Sequence, residues 1–212
     1  MISSKKSKKL IIVDYDCGNL KSISNAFESL GVKSIVTNKI DFISKASHIV
    51  LPGVGAFDKA ISNLKKLKLI EVIKKANQNN KPILGICLGM QLLFDSSLEN
   101  QFTKGLGIIK GKIVKIKSEK LIKIPVVGWN KISINSNQKK ILKKITNKSY
   151  FYFIHSYQAD VKYKKNLISS YLQNNQKIPA IVSNNKNTIG CQFHPEKSGK
   201  IGLQILKNFL AI

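Results

Sequence analysis

Short continuous apolar runs alternate with amphipathic stretches in the first half of the chain. Leu10 to Val13 has no polar position, which is typical of a strand buried on both faces. From Asn19 to Leu30 the apolar residues recur with helical spacing, and Gly31 ends the pattern. The predicted elements are strands at 10–13, 34–36 and 48–51, a helix at 19–30 and two helical stretches between 58 and 77. This alternation favours a parallel sheet with helices on both faces.

The second half of the chain has a different pattern. From Lys110 to Ile124 apolar residues alternate with lysine, which is typical of an antiparallel strand with one solvent-exposed face. Gly128-Trp129-Asn130 follows Pro125 and is predicted to be a loop. The other predicted elements are strands at 150–157, 167–172, 180–183 and 188–193 and a helix at 199–210. We therefore expect an α/β fold with a mostly parallel central sheet and additional antiparallel strands in the C-terminal half.

Gly85-Ile86-Cys87-Leu88-Gly89 follows a short apolar run and has the form of a nucleophile elbow with cysteine as the nucleophile. The flanking glycines let a strand turn directly into a helix, so that the side chain at the corner projects at the carboxyl end of the sheet. A helix N-terminus behind Cys87 would favour its thiolate. Asp58 is predicted to cap an earlier helix.

A nucleophile needs a base and an orienting group. His194 is followed by Pro195 and Glu196, and residues two apart in an extended segment share one side. Glu196 can therefore reach the imidazole of His194. Taken alone, Cys87 would be explained as a core thiol and His194 as an ordinary surface histidine. Together they predict a Cys87–His194–Glu196 triad.

Composition limits the class of protein. The 212 residues suffice for one domain, predicted at 10–212 after a basic flexible tail at 1–9. The net charge is +25, but all the basic residues are lysine and they are scattered, which argues against nucleic-acid binding because that function favours arginine. The three cysteines show no disulfide or metal spacing, and no apolar run could cross a membrane. We expect a cytoplasmic location.

The elbow and the His-Pro-Glu segment together resemble the class I, triad-type glutamine amidotransferases, which have a flavodoxin-like fold. The match is closer to the glutaminase subunits of imidazole glycerol phosphate synthase, an enzyme of histidine biosynthesis, because Gly128-Trp129-Asn130 and His155-Ser156-Tyr157 narrow the choice. The stretches that carry the resemblance are 13–20, 51–57, 85–91, 127–130, and 152–157 with 192–198. They run in the expected order over nearly the whole chain.

The resemblance implies that the chain hydrolyses L-glutamine to glutamate and ammonia through a thioester on Cys87, with no cofactor or metal. By the same resemblance, the loop at Gly53 and Val54 supplies backbone N–H groups to an oxyanion hole. Leu88 N–H, next to the nucleophile, is the second donor. Gln91 lies one helical turn after Cys87 and is expected to contact the substrate.

The resemblance also implies a partner, a (β/α)8-barrel cyclase that forms a heterodimer with this chain. The cyclase would use the ammonia to make imidazole glycerol phosphate and aminoimidazole carboxamide ribotide. Trp129 and Asn130 are expected to border the ammonia path, and Tyr157 and Lys197 are candidates for the site wall and the interface. His155 lies in an aromatic stretch and is either a core histidine or part of the site.

Two positions depart from the family pattern. Pro125-Val126-Val127 lacks the histidine that usually precedes Gly-Trp-Asn, and Asp16-Cys17 replaces small or apolar residues. These departures leave open a related amidotransferase that supplies ammonia to a sugar-modifying synthase in surface-polysaccharide biosynthesis. Two other readings are a stand-alone cysteine hydrolase, such as a peptidase, and a catalytically silent binding subunit.

Overall fold

The computed structural model describes residues 8–117, 124–135 and 140–212, and within them the chain forms thirteen strands and six α-helices. The strands are β1 Leu10–Val13, β2 Ser34–Thr37, β3 His48–Leu51, β4 Ile83–Ile86, β5 Phe94–Ser97, β6 Thr103–Lys104, β7 Ile109–Lys115, β8 Val126–Ile134, β9 Tyr150–His155, β10 Tyr157–Val161, β11 Leu167–Gln173, β12 Gln176–Ser183 and β13 Thr188–Cys191. The helices are α1 Leu20–Glu28, α2 Ile40–Ser44, α3 Phe57–Lys66, α4 Leu69–Gln78, α5 Leu88–Leu92 and α6 Gly199–Leu210.

Nine strands form one mixed sheet in the order β2-β1-β3-β4-β13-β12-β11-β8-β9. The strands from β2 to β13 are parallel, and those from β13 to β9 pair antiparallel. Strands β4 and β13 are neighbours although about 100 residues of sequence separate them. Their pairing brings the elbow at the end of β4 next to the segment that follows β13.

Helices cover the parallel part of the sheet on both faces. Along β1, Leu10 and Ile12 belong to the apolar cluster that contains helices α1 and α6. Ile11, from the same strand, belongs to the opposite cluster, which contains α3 and α4. Because alternate side chains enter opposite clusters, every position of β1 is buried. This explains the continuous apolar run in the sequence.

A second sheet, in the order β10-β7-β5-β6, packs beside the first. Strand β7 pairs antiparallel with β10 and parallel with β5. The predicted strand at 110–124 is thus β7, which ends at Lys115, and residues 118–123 lie outside the described part of the chain. The predicted strand at 150–157 is two strands, β9 and β10, separated at Ser156.

Two local predictions are wrong. Gly128-Trp129-Asn130 is not a loop but the middle of β8, where Trp129 pairs with Tyr152 of β9. The outward-facing side chains of β8, Val127 and Trp129, are apolar and exposed. The sequence of this strand therefore lacks the usual alternation of apolar and polar positions. Asp58 does not cap α3, because the helix begins at Phe57 with Ala56 as the N-cap and no side-chain cap bond.

The N-terminal tail falls mostly outside the described residues, which begin at 8. Lys9, the last residue of the predicted tail, lies beside β3, because its carbonyl accepts hydrogen bonds from the N–H groups of Ser47 and His48. Within the described part of the chain, the helices are too short or too polar to cross a membrane.

Candidate active site

Cys87 occupies the corner between β4 and α5 with φ 53° and ψ −110°, a conformation that is strained for a side chain with a Cβ. Its N–H donates to the Cys191 carbonyl of the neighbouring strand at 2.8 Å. A Cβ on Gly89 would lie 1.9 Å from the carbonyl oxygen of Leu51, and one on Gly85 would lie 2.6 Å from the oxygen of Gly89. The two glycines of the motif therefore allow the close approach that holds the elbow.

The structure brings the predicted base and orienting group together. Nδ1 of His194 lies 2.7 Å from Oε1 of Glu196, and the two side chains are 2% and 0% exposed. Because a carboxylate only accepts, Nδ1 carries the proton and Nε2 is left to act on Cys87. Nε2 has no hydrogen bond of ordinary geometry. Cys87 is nevertheless near enough to raise the pKa of His194.

The electrostatics of this pair favour the imidazolium. Burial lowers the pKa of His194, but the neighbouring Cys87 and Glu196 raise it more, so that the pKa is about 9. The backbone holds the ring in place, because His194 N–H donates to the Tyr152 carbonyl and the Ser198 hydroxyl donates to the His194 carbonyl. The imidazole is therefore both charged and fixed in orientation.

The predicted oxyanion loop lies beside the elbow and contacts one of the predicted donors through its own carbonyl. The Leu88 N–H donates to the Gly53 carbonyl at 3.4 Å, so one predicted donor is already occupied by the loop itself. The Tyr15 hydroxyl donates to the Pro52 carbonyl. Val54 is 45% exposed. In this arrangement the loop turns the Gly53 carbonyl toward the Leu88 N–H beside the nucleophile.

The helix behind the nucleophile is short. Helix α5 has five residues and ends at Leu92, so its dipole is small. Stabilisation of the thiolate must come mainly from side chains.

A cavity of about 290 Å³ opens above Cys87. Gln91 lines it, and its Nε2 donates to the Tyr157 carbonyl at 3.3 Å and to Gln192 Oε1 at 3.1 Å. Its Oε1 is the atom left to contact a substrate. The cavity is also lined by Glu99, a residue that the sequence analysis missed.

Glu99 is the acidic residue among those that line this cavity. Its Oε2 accepts the Phe57 N–H at 2.9 Å. Burial raises its pKa, the Phe57 N–H lowers it, and Asp58 raises it, with a net rise. Glu99 belongs to no motif. Acidic residues are scarce in this chain, with 11 against 36 basic ones, and Glu99 lies only 12 positions after Cys87. This was the one feature of the sequence that could have pointed to Glu99 as a site residue.

His155 is a fully bonded, neutral histidine. Its Nδ1 lies 2.7 Å from the Tyr157 carbonyl and its Nε2 lies 2.8 Å from the Tyr171 hydroxyl. The carbonyl only accepts, so Nδ1 donates and Nε2 accepts. Burial lowers the pKa of His155 to about 4. Of the two readings left open by the sequence, the structure favours the core histidine, although the ring also borders the cavity.

The four predicted interface residues lie on β8, on β10 and in the segment after β13. Trp129 is 53% exposed and packs edge-to-face on Tyr152, with ring centroids 6.1 Å apart. Asn130 and Tyr157 are half-buried, and Lys197 is exposed. A groove of about 750 Å³ runs along residues 124–130 and shares Pro125 with the active-site cavity.

Comparison with known proteins agrees with this geometry. The sequence model of the glutamine amidotransferase class-I family matches residues 11–212. The imidazole glycerol phosphate synthase subunit HisH of Lactococcus lactis is 45% identical, with 96% of this chain and 98% of the relative covered. HisH of Oceanobacillus iheyensis is 44% identical over 94% and 97%.

Solved structures share the fold at lower identity. The structure of PurLQS from Thermotoga maritima superposes with a TM-score of 0.75 at 20% identity, covering 97% of this chain and 98% of that one. The glutaminase domain of Trypanosoma brucei CTPS with bound acivicin gives a TM-score of 0.67 at 15% identity, covering 96% and 94%.

The chain therefore belongs to the class-I glutamine amidotransferases and, within them, to the family of HisH subunits of imidazole glycerol phosphate synthase. The predicted fold class, the predicted glutaminase type of enzyme and the resemblance read from the sequence are confirmed. These relatives do not support the alternative of a surface-polysaccharide amidotransferase. The roles of the individual site residues stay predictions.

Proposed function

We propose that this chain hydrolyses L-glutamine at Cys87 and delivers the ammonia to a cyclase subunit. Cys87 attacks the side-chain amide carbon as a thiolate, while His194 holds the proton as an imidazolium oriented by Glu196. Ammonia leaves with that proton, and water hydrolyses the γ-glutamyl thioester. An amide is a poor electrophile, so dividing the reaction into two steps through a thioester lowers each barrier. The observation that carries the proposal is the 2.7 Å His194–Glu196 pair, buried against Cys87.

The cavity suits glutamine in size and chemistry. The Glu99 carboxylate would bind the α-ammonium group of the substrate, since it lines the cavity and has one oxygen not engaged by Phe57. The Gln91 oxygen would accept a hydrogen bond from the substrate amide. Together these two contacts would hold the substrate with its amide carbon near the sulfur of Cys87.

The closed loop at Gly53 implies that the chain alone hydrolyses glutamine slowly. Rotating the Gly53–Val54 peptide would release the Leu88 N–H and turn the Val54 N–H toward the oxyanion. Two donors would then stabilise charge that develops in the transition state, often worth about 3–4 kcal/mol per donor. Glycines at positions 53 and 55 make such a rotation feasible. We propose that docking of the partner drives it.

The partner surface is the open face of β8 and β9, where Val127, Trp129 and Tyr150 are each more than half exposed. Large apolar side chains exposed together mark an interaction site, and a tryptophan in such a patch often dominates binding. The groove below them meets the active-site cavity at Pro125. We propose that the (β/α)8-barrel cyclase of the synthase docks here and receives ammonia past Pro125.

Reconstitution with a cyclase subunit tests this function. The synthase reaction is followed with either glutamine or an ammonium salt as nitrogen donor. We expect Cys87→Ala to abolish the glutamine-dependent reaction and to retain the ammonia-dependent one, because the cyclase does not need the thioester. Cys17→Ala, which removes a thiol outside the elbow, should retain both. Glutamine-dependent activity in Cys87→Ala would refute the proposal.

A further inference from the structure

Gln192 is a buried polar residue for which the mechanism above gives no role. It follows β13 directly, its side chain is 0% exposed, and it lies two residues before His194. Its Nε2 is 3.7 Å from the sulfur of Cys87. Its Oε1 accepts from Gln91 Nε2 at 3.1 Å. One side chain thus joins the nucleophile to a wall of the glutamine pocket.

The hydrogen-bond network fixes which end of the Gln192 amide faces the sulfur. The Tyr157 carbonyl can only accept, so the Gln91 atom beside it at 3.3 Å is Nε2. That same Nε2 meets Gln192, whose facing atom must then be Oε1. The amide N–H of Gln192 is consequently left to point at Cys87. If either amide were flipped, two donors or two acceptors would face each other in this series of hydrogen bonds.

Apart from His194, a backbone carbonyl also lies near the sulfur and favours the protonated thiol over the thiolate. The Ile154 carbonyl lies 3.8 Å from the Cys87 sulfur and can interact favourably only with a protonated thiol. Helix α5, with five residues, adds little. Within the described part of the chain, Gln192 Nε2 is therefore the neutral side-chain donor placed to stabilise the thiolate.

We infer that Gln192 is a further catalytic residue, which stabilises the Cys87 thiolate through its N–H and couples the nucleophile to the glutamine contact at Gln91. The inference rests on the proposed function for its catalytic meaning. Its physical content, an N–H donor on the sulfur, does not depend on glutamine hydrolysis. When the substrate contacts Gln91, the hydrogen bond between the Gln91 and Gln192 amides holds the Gln192 N–H on the thiolate.

Alkylation of Cys87 by iodoacetamide, followed by peptide mapping across a range of pH, tests this inference on the full chain. Gln192→Met keeps an unbranched side chain of similar length but has no donor. We expect alkylation of Cys87 in this variant to be about tenfold slower near neutral pH, with its pH profile moved about one unit higher, since a hydrogen bond to a charged group is worth roughly that much. Alkylation of Cys17 in the same samples serves as an internal reference and should not change.

Two further variants keep the test decisive. Gln204→Met removes an amide hydrogen bond on α6, to Asn208 at 2.8 Å, and should leave the profile of Cys87 in place. Gln192→Glu keeps the shape and the acceptor for Gln91 and should also slow alkylation if Gln192→Met does not fold. An unchanged Cys87 profile in a folded Gln192 variant, or an equal shift in Gln204→Met, would overturn the inference. Absence of glutaminase activity in the parent chain bound to its synthase partner would refute the proposed function, whereas the alkylation result would still stand.

Discussion

Replacing Glu196 with glutamine keeps the shape of the side chain and removes the charge that holds His194. The bond between them is 2.7 Å long and both side chains are almost completely buried, so water does not screen it. A hydrogen bond to a charged group contributes about 1.5–3 kcal/mol. That corresponds to roughly a ten- to 150-fold change in rate. We therefore expect kcat for glutamine hydrolysis to fall by about this factor in Glu196→Gln.

The pH dependence of the same variant gives a second readout. Burial lowers the pKa of His194, whereas Cys87 and Glu196 raise it to about 9. The reaction needs the imidazolium to protonate the leaving ammonia, so the parent should lose activity as the pH rises through about 9. Without the Glu196 charge the pKa of His194 falls, and the alkaline limb moves to lower pH.

The assay is glutamate release by the chain together with its synthase partner, measured from about pH 6 to about pH 10. Glu71→Gln is the matched control, because its side chain is 86% exposed and neutralising it should not change the rate. A kcat for Glu196→Gln within about twofold of the parent, with an unmoved alkaline limb, would contradict the assigned role of Glu196.

Three other predictions concern Gly89, Glu99 and His194. Gly89→Ala should destabilise the fold by about 3 kcal/mol or more, because its Cβ would lie 1.9 Å from the Leu51 oxygen; Gly31→Ala, with φ +76° but open space, should cost only about 1–2 kcal/mol in the same urea titration. Glu99→Gln should raise KM for glutamine about tenfold or more with a smaller change in kcat, and equal kinetics would remove Glu99 from the binding site. The raised pKa of His194 stabilises the fold below about pH 6.5, and this contribution should be lost as the pH rises through about 9, as thermal unfolding across that range would show.

The sequence predicted the parallel half of the sheet well because strands covered on both faces need no polar position. Strand β1 is a continuous apolar run for that reason, and β3 is one from Ile49 to Leu51. Strand β8 was missed because Val127 and Trp129 face outward, where alternation would put polar residues. The two residues of β6 are too few to show any period.

For the site, the sequence predicted which residues take part better than how their side chains and peptide groups are oriented. Spacing of two between His194 and Glu196 correctly placed the carboxylate against the ring. The same spacing puts Gln192 on the side of His194, a signal that the sequence analysis did not use. The direction of the Gly53 carbonyl depends on a single peptide orientation, which glycine leaves free, so residue identity alone could not predict that the loop is closed.

The most direct test of the account is the identification of the covalent intermediate. The chain, bound to its synthase partner, is mixed with labelled glutamine, quenched in acid and digested, and the labelled peptide is identified by mass spectrometry. We predict a γ-glutamyl group on Cys87, released by hydroxylamine as a thioester should be. Label on Cys17 or Cys191, or continued glutamine hydrolysis when Cys87 is replaced by alanine, would contradict the account.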